Sequence, residues 1–134
     1  MILGVGSDIV AIARIQAALA RHGARFAERI LRPEELAVFR TRPRPDAWLA
    51  KRFAAKEALG KALGTGIGAV SWRDFAVLSQ STGAPAVHTY GRARALLAAR
   101  GVTGVWVSLA DERDLALAFV VLTGGGAAQS NSGG

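Results

Sequence analysis

Apolar positions follow two different periods along the chain, and each period predicts a different kind of element. Residues 2–10 are rich in aliphatic side chains, which predicts a buried strand with Asp8 near its C-terminal end. Apolar residues then recur at helical spacing over residues 11–22, so we expect a helix there. His22 and Gly23 form a typical helix C-terminus, with a basic residue in the last turn followed by glycine.

Two further helices are predicted in the first half of the chain. Pro33 followed by two acidic residues marks a helix start, because proline suits the first turn and acids favour the positive end of the helix. This helix should end near Arg40, before a proline-rich loop. Residues 46–64 carry the strongest helical pattern, with Asp46 as the expected N-cap and Gly64 as the stop.

The second half of the chain alternates strand and turn. The predicted elements are strands at 75–78, 86–90, 105–110 and 115–122 and a short helix over 91–101. Together the elements predict an α+β fold in which a long central helix packs on an antiparallel sheet. We expect one domain over residues 1–123 and a low-complexity, disordered tail over residues 124–134.

Composition excludes several kinds of chemistry. The 134 residues contain no cysteine and two histidines, which rules out disulfides, cysteine-bound zinc and thiol catalysis and leaves little room for a multi-histidine metal site. A hydrophobic content of 51% excludes a disordered body. The N-terminus lacks the basic region of a signal peptide, and no apolar run is long enough to span a membrane. A cytoplasmic protein without a membrane partner is therefore expected.

The balance of charge predicts an acidic partner. Lys and Arg number 17 against 10 for Asp and Glu, a net charge of +7, which suits nucleic acid, a phosphate-bearing ligand, an anionic membrane or an acidic protein. Arg14, Arg21 and Arg25 share one face if the first helix continues past Gly23. A solvated face is the plain interpretation of this pattern, and docking of an acidic helix is the functional one.

The central helix and the first strand carry the candidate chemistry. Glu57 and Lys61 are four residues apart and share a face, where the plain interpretation is a solvated ion pair. Arg52 and Lys56 form a second such row, also typical of a solvated face. Asp8 ends an apolar strand, so it is either an N-cap for the next helix or, with Glu57, a ligand pair for Mg²⁺.

A glycine-rich loop follows the central helix. Residues 64–68 read GTGIG, which allows backbone N–H groups to approach a phosphate. The alternative is an ordinary helix C-cap. The loop is neither a Walker A loop, since Lys61 precedes the glycines, nor a dinucleotide fingerprint, since it follows a helix.

Taken in order, these segments resemble one known family. GVGSDIVAIARI, RFAAKEALGKALGTGI and VSLADERDLALAFVVL are similar to segments of holo-acyl-carrier-protein synthases, the small bacterial class of 4′-phosphopantetheinyl transferases. The resemblance covers about residues 1–123. It implies transfer of the phosphopantetheine arm of coenzyme A to a serine of apo-acyl carrier protein, with adenosine 3′,5′-bisphosphate as the by-product. It also implies a role in fatty acid biosynthesis, the phosphopantetheinyl transferase fold and a homotrimer with active sites at the subunit interfaces.

The resemblance also implies roles for individual residues. Asp8, Glu57 and Lys61 are the implied catalytic residues, and the two carboxylates are the implied Mg²⁺ ligands. The positions that match coenzyme A binding are Arg52, Gly64, Thr65, Gly66 and Pro85, the last of them in a turn. The basic residues that match carrier-protein binding are Arg14, Arg21 and Arg25.

One departure from the family pattern affects the assignment of the general base. Trp106 stands where many relatives have histidine, and an indole has no basic nitrogen. Asp111 and Glu112 are the nearby candidates, and Trp106 is expected to line the site as a flat wall.

Two other classes of function remain alternatives at the level of sequence. A small basic nucleic-acid-binding module explains the charge, but it explains neither Asp8 nor the Glu57 and Lys61 pair. A nonenzymatic trimeric scaffold is the third possibility.

Overall fold

The computed structural model describes residues 1–125. The helices are α1 (Ile12–His22), α2 (Ala24–Ile30), α3 (Pro33–Phe39), α4 (Pro45–Leu63) and α5 (Gly91–Ala99), with a 3₁₀ turn at Trp72–Asp74. The strands are β1 (Ile2–Ala11), β2 (Phe75–Ser79), β3 (Pro85–Thr89), β4 (Val102–Glu112) and β5 (Leu115–Gly124). This α+β arrangement of helices and antiparallel strands confirms the predicted class.

The strands form two antiparallel sheets. The larger sheet has the order β1-β5-β4, and the smaller one pairs β2 with β3. β4 and β5, which contain the last two predicted strands, form an antiparallel hairpin whose turn places Arg113 at a φ of 52°. Side chains alternate across each strand, so one face of the large sheet is buried under α4 and the other is exposed.

Helix α4 lies directly on β1 and β5. Two glycines of β1 allow this close approach, because a Cβ at Gly6 would collide with the backbone of Ala58 and Ala62, and one at Gly4 with the carbonyl of Ala62. The even-numbered positions of β1 therefore face α4. Asp8 is the next of these positions, which directs its carboxylate toward the helix.

Several element boundaries differ from those predicted by one or more residues. Helix α4 begins at Pro45 with Arg44 as N-cap, so Asp46 lies in the first turn and accepts a hydrogen bond from Gln16 instead of capping. The predicted helix stop at His22 and Gly23 is confirmed: Gly23, at φ 63° and ψ −147°, separates α1 from α2, so the first helix does not continue to Arg25. β5 extends through Gly124, one residue past the predicted domain end, and residues 126–134 of the predicted tail lie outside the described residues.

A buried ion pair ties four elements together. Lys56 Nζ donates to Glu35 Oε1 at 2.7 Å and to the Ile30 carbonyl at 2.6 Å, and both charged side chains are fully buried. Glu35 Oε2 accepts from the Val77 N–H at 2.8 Å. Burial lowers the pKa of Lys56, and the Glu35 charge opposes that shift. The prediction that the Lys56 row forms a solvated face is therefore wrong.

Within residues 1–125, no helix has the length and apolar character needed to cross a membrane.

Candidate active site

Strand β1 and helix α4 bring Asp8 and Lys61 into contact. Lys61 Nζ donates to Asp8 Oδ1 at 3.0 Å and to the Ser7 carbonyl at 3.1 Å. The Asp8 side chain is only 17% exposed, whereas that of Lys61 is 55% exposed and open to an incoming ligand. The alternative that Asp8 caps the next helix is wrong, because the N-cap of α1 is Ala11 and no side chain caps it.

Glu57 lies one helical turn before Lys61, about 6 Å along the axis of α4. Its Oε2 accepts a hydrogen bond from the Trp72 indole at 2.9 Å. Among the described residues, Glu57 forms no ion pair with Lys61, which is bound to Asp8 instead. The sequence pattern thus identified the right face of the helix but not the partners of either charge.

The two carboxylates suit a hard divalent cation. Each engages one oxygen with a protein donor, and within residues 1–125 no hydrogen bond occupies Asp8 Oδ2 or Glu57 Oε1. No cluster of three or more metal-binding side chains occurs in that part of the chain. Mg²⁺ requires only one or two protein carboxylates, since waters and substrate phosphates complete its coordination. The donor set therefore fits Mg²⁺ bound together with a phosphate-bearing ligand.

The glycine-rich loop folds back onto the end of α4. Gly64 adopts the left-handed conformation at φ 81°, and its N–H donates to the Lys61 carbonyl at 2.9 Å. The Gly66 N–H donates to the Gly60 carbonyl at 2.9 Å, and a Cβ at Gly60 would contact Gly66 at 3.0 Å. The loop is therefore a helix C-cap, as the plain interpretation held, and it places exposed Thr65 near the Lys61 end of the helix.

Arg52 lies on another side of α4, about 140–180° around the axis from Glu57 and Lys61. Its Nε donates to the Val77 carbonyl at 3.1 Å, and its guanidinium lies 4.1 Å from the centre of the Trp48 ring. Only 5% of Arg52 is exposed, so this position is not on a solvated face either. Burial lowers its pKa to about 10.

A cavity of about 420 Å³ lies beside Arg52 and is lined by Trp48, Leu78 and Ser79 among others. Pro85 pairs with Ser79 as the first residue of β3, so it follows the predicted turn instead of lying within it. The predicted coenzyme A positions thus form two separate groups within one chain. One group follows Lys61 at the end of α4; in the other, Arg52 lines the cavity and Pro85 is paired with Ser79 of its lining.

A basic groove runs between α1 and α2. Arg21 and Arg25 line a groove of about 360 Å³ together with Phe26 and Arg29. An adjoining groove of about 260 Å³ shares Phe26 and Arg29 and contains Arg14. Arg14 lies 5.6 Å from the centre of the Phe53 ring, and both residues line that second groove together with Trp72. The basic groove therefore leads from the predicted docking arginines toward the indole that binds Glu57.

Trp106, which stands at the position of the missing histidine, and Asp111, a candidate general base, both lie away from Asp8. Trp106 is 63% exposed on the sheet face opposite α4, where its indole donates to Thr123 Oγ1 at 2.9 Å. Asp111 pairs with Lys51 at 2.9 Å. Because Asp8 is in β1 and Asp111 in β4, with β5 between them, the two backbones are about 10 Å apart across the sheet. A single chain therefore brings neither Trp106 nor Asp111 to the Asp8 carboxylate.

Two residues of this region carried no clear sequence signal. Arg29 follows Arg25 by four residues on α2. This helical spacing is the signal that could have placed Arg29 among the predicted docking arginines. Trp72 precedes β2 in a short 3₁₀ turn, where nothing in its local pattern predicts contact with the central helix.

The fold and the paired acidic and basic groups define a small α+β protein whose site suits an anionic, phosphate-bearing ligand. The family model described as the 4′-phosphopantetheinyl transferase superfamily matches residues 4–120. The chain belongs to this family.

Named relatives and solved structures agree with the family assignment. A holo-[acyl-carrier-protein] synthase of Halorhodospira halophila is 50% identical over 93% of this chain and 100% of its own length. The crystal structure of holo-[acyl-carrier-protein] synthase from Neisseria meningitidis is 47% identical, covers 92% of this chain and 99% of its own, and has a TM-score of 0.85. The crystal structure of Helicobacter pylori holo-[acyl-carrier-protein] synthase in complex with coenzyme A is 30% identical. It covers 89% of this chain and 99% of its own, and has a TM-score of 0.78.

Proposed function

We infer that this chain transfers the 4′-phosphopantetheine group of coenzyme A to a serine of apo-acyl carrier protein. The products are holo-acyl carrier protein and adenosine 3′,5′-bisphosphate, and the reaction supports fatty acid biosynthesis. The observation that carries the conclusion is the cluster of Asp8, Glu57 and Lys61 at the junction of β1 and α4, in a chain of this family. We propose a cytoplasmic location as well, as the sequence predicts.

The cluster supplies what transfer of a phosphoryl group from a pyrophosphate to a hydroxyl needs, namely alignment and neutralisation of charge. Asp8 and Glu57 are the residues that would hold Mg²⁺, which neutralises charge on the pyrophosphate of coenzyme A when bound. Lys61 is held by Asp8 and the Ser7 carbonyl, so its ammonium has a fixed position from which to stabilise negative charge on the transferred phosphate. The loop at Gly64, Thr65 and Gly66, in which the first two residues are exposed, follows the turn of α4 that carries Lys61 and is proposed to contact the coenzyme A phosphates.

The decisive experiment is transfer itself. The protein is incubated with coenzyme A, Mg²⁺ and apo-acyl carrier protein, and the mass of the carrier is measured. A gain equal to one phosphopantetheine group is expected. No gain in mass, together with retention of the protein on nucleic acid at physiological salt, would instead support the nucleic-acid-binding alternative.

We propose that the active sites form between subunits of a homotrimer. The two groups of predicted coenzyme A positions lie on different sides of α4, so one long ligand can contact both groups more readily when a second copy supplies one of them. The exposed face of the large sheet offers a surface for this contact. Its large apolar side chains, each 44–63% exposed, are Val5, Ile9, Trp106, Leu115, Leu117 and Phe119.

The proposed assembly predicts a mass near three copies of the 14.0 kDa chain by light scattering. Phe119→Asp places a charge in the middle strand of the exposed apolar face and is expected to yield a monomer with little transfer activity. Asp114→Asn, in the exposed hairpin turn, serves as the control and should remain trimeric. A fully active monomer of either protein would contradict interface active sites.

We also propose that the basic groove docks the acidic carrier protein. Arg21→Glu combined with Arg25→Glu is expected to raise the KM for the carrier about tenfold or more at low salt and to leave the KM for coenzyme A nearly unchanged. The reason is that both side chains are exposed and line the groove that does not include Trp72, the residue bonded to Glu57. Steady-state kinetics with each substrate varied in turn measures the difference. An equal rise in both KM values would assign the groove to the nucleotide instead.

A further inference from the structure

Trp72 is not among the site residues predicted from the sequence, yet its indole is hydrogen-bonded to the site residue Glu57. Trp72 Nε1 donates to Glu57 Oε2 at 2.9 Å. An indole has one N–H donor and no acceptor, so this bond has a single direction and the carboxylate is its acceptor. The ring also packs on Phe53, with the two ring centres 5.9 Å apart, so its plane is fixed independently of the hydrogen bond.

The turn that carries Trp72 is itself well anchored. Ser71 Oγ accepts from the Arg73 N–H at 3.1 Å, and Asp74 Oδ2 accepts from the Ser71 N–H at 3.3 Å, which closes a capping box around the turn. Asp74 Oδ2 also accepts from the Ala93 N–H at 3.2 Å and ties the turn to α5. The indole is thus presented by a braced segment of backbone.

The hydrogen bond from Trp72 replaces the ion pair that Glu57 would otherwise be expected to form on α4. Glu57 and Lys61 have the spacing that ordinarily forms an ion pair on a helix surface. In this chain Lys61 binds Asp8, and Glu57 binds Trp72. Within residues 1–125 only one oxygen of Glu57 is engaged, so the indole fixes the orientation of the carboxylate and leaves Oε1 for a ligand.

We propose that Trp72 is a positioning residue for the metal site, acting through Glu57. Its N–H holds the carboxylate in the orientation that accepts a divalent cation, which is the role that a donor next to a metal ligand performs in metalloproteins generally. This inference rests on the proposed function, since it assumes that Glu57 binds Mg²⁺ beside coenzyme A.

The test is Trp72→Phe, which keeps an aromatic ring on Phe53 and removes the N–H. Binding of Mn²⁺ in the presence of coenzyme A, without carrier protein, is followed by the loss of the free-ion electron paramagnetic resonance signal. The expected result is Mn²⁺ affinity weakened about tenfold. In transfer assays the Mg²⁺ concentration for half-maximal rate should rise by a similar factor, while the rate at saturating Mg²⁺ stays near that of the wild type.

Asp114→Asn is the control for metal binding, because it removes a carboxylate from the exposed hairpin turn, outside the proposed site. Its Mn²⁺ affinity should not change. A Trp72→Phe affinity within twofold of the wild type overturns the positioning role, and so does a loss of rate that saturating Mg²⁺ does not restore. Failure of the proposed function has a different signature, namely a wild-type protein that binds Mn²⁺ but transfers nothing to the carrier.

Discussion

Glu57→Gln and Asp8→Asn are each expected to lower the rate of phosphopantetheine transfer by roughly 10²–10³-fold. Each amide keeps the size of the side chain but removes the negative charge that suits a divalent cation. Asp8→Asn also weakens the hold on Lys61, whose ammonium lies 3.0 Å from Asp8 Oδ1. Both side chains lie at the edge of the core, so neither change should unfold the protein.

Single-turnover transfer at saturating coenzyme A and carrier protein measures this effect. A titration with Mg²⁺ over a wide range accompanies it, because a weakened metal site is partly restored at high concentration of the metal. Asp114→Asn removes one carboxylate from the exposed hairpin turn and is the control for net charge. Near-normal transfer by Glu57→Gln at low Mg²⁺ would contradict the assignment of Glu57 as a ligand.

The elements of this fold were predictable because their signals are local. The alternation of apolar residues in the β4 and β5 segments and the run of helical spacing in α4 depend only on neighbours in sequence. The stop of α1 at Gly23 was predicted, but the direction of the chain beyond it was not. A glycine after histidine suits a helix stop, but only the observed φ of 63° shows that α2 takes a new direction from there.

The partners of the site charges were not predictable from spacing. Glu57 and Lys61 are neighbours on a helix, so a pattern alone favours their mutual pair. The tertiary contacts that replace this pair come from residues distant in sequence, 53 positions away for Asp8 and 15 for Trp72. Gly4 and Gly6 provided the indirect signal, because glycines in a strand allow the close approach that puts Asp8 beside α4.

The prediction that failed most clearly was the solvated face expected for Arg52 and Lys56 of α4. Charged residues four apart are usually solvated, yet Arg52 and Lys56 are buried and bind groups on β2, α2 and α3. What stabilises them is a set of acceptors assembled by the fold, among them Glu35, 21 positions away from Lys56. The residues next to Arg52 and Lys56 in sequence do not reveal these acceptors, so the burial of the two charges could not be predicted from the local pattern.

The Glu35 and Lys56 pair carries the largest expected effect on stability. Lys56→Met keeps the length of the side chain but leaves the Glu35 carboxylate buried without its cation. Breaking a buried pair in this way costs about 3–5 kcal/mol in the free energy of unfolding. A domain of this size is stable by only about 5–15 kcal/mol, so the variant should unfold at a much lower urea concentration.

A double-mutant cycle separates the pair from its surroundings. Glu35→Gln combined with Lys56→Met removes both charges, and its loss of stability should be smaller than the sum of the two single losses. Lys51→Met is the matched control, because Lys51 is on the same helix in a partly exposed pair with Asp111 and should cost less than about 1 kcal/mol. All variants are compared by urea unfolding at one protein concentration, since association stabilises the folded chain by mass action. A Lys56→Met variant as stable as Lys51→Met would show that the buried pair does not hold α2, α3 and β2 on the central helix.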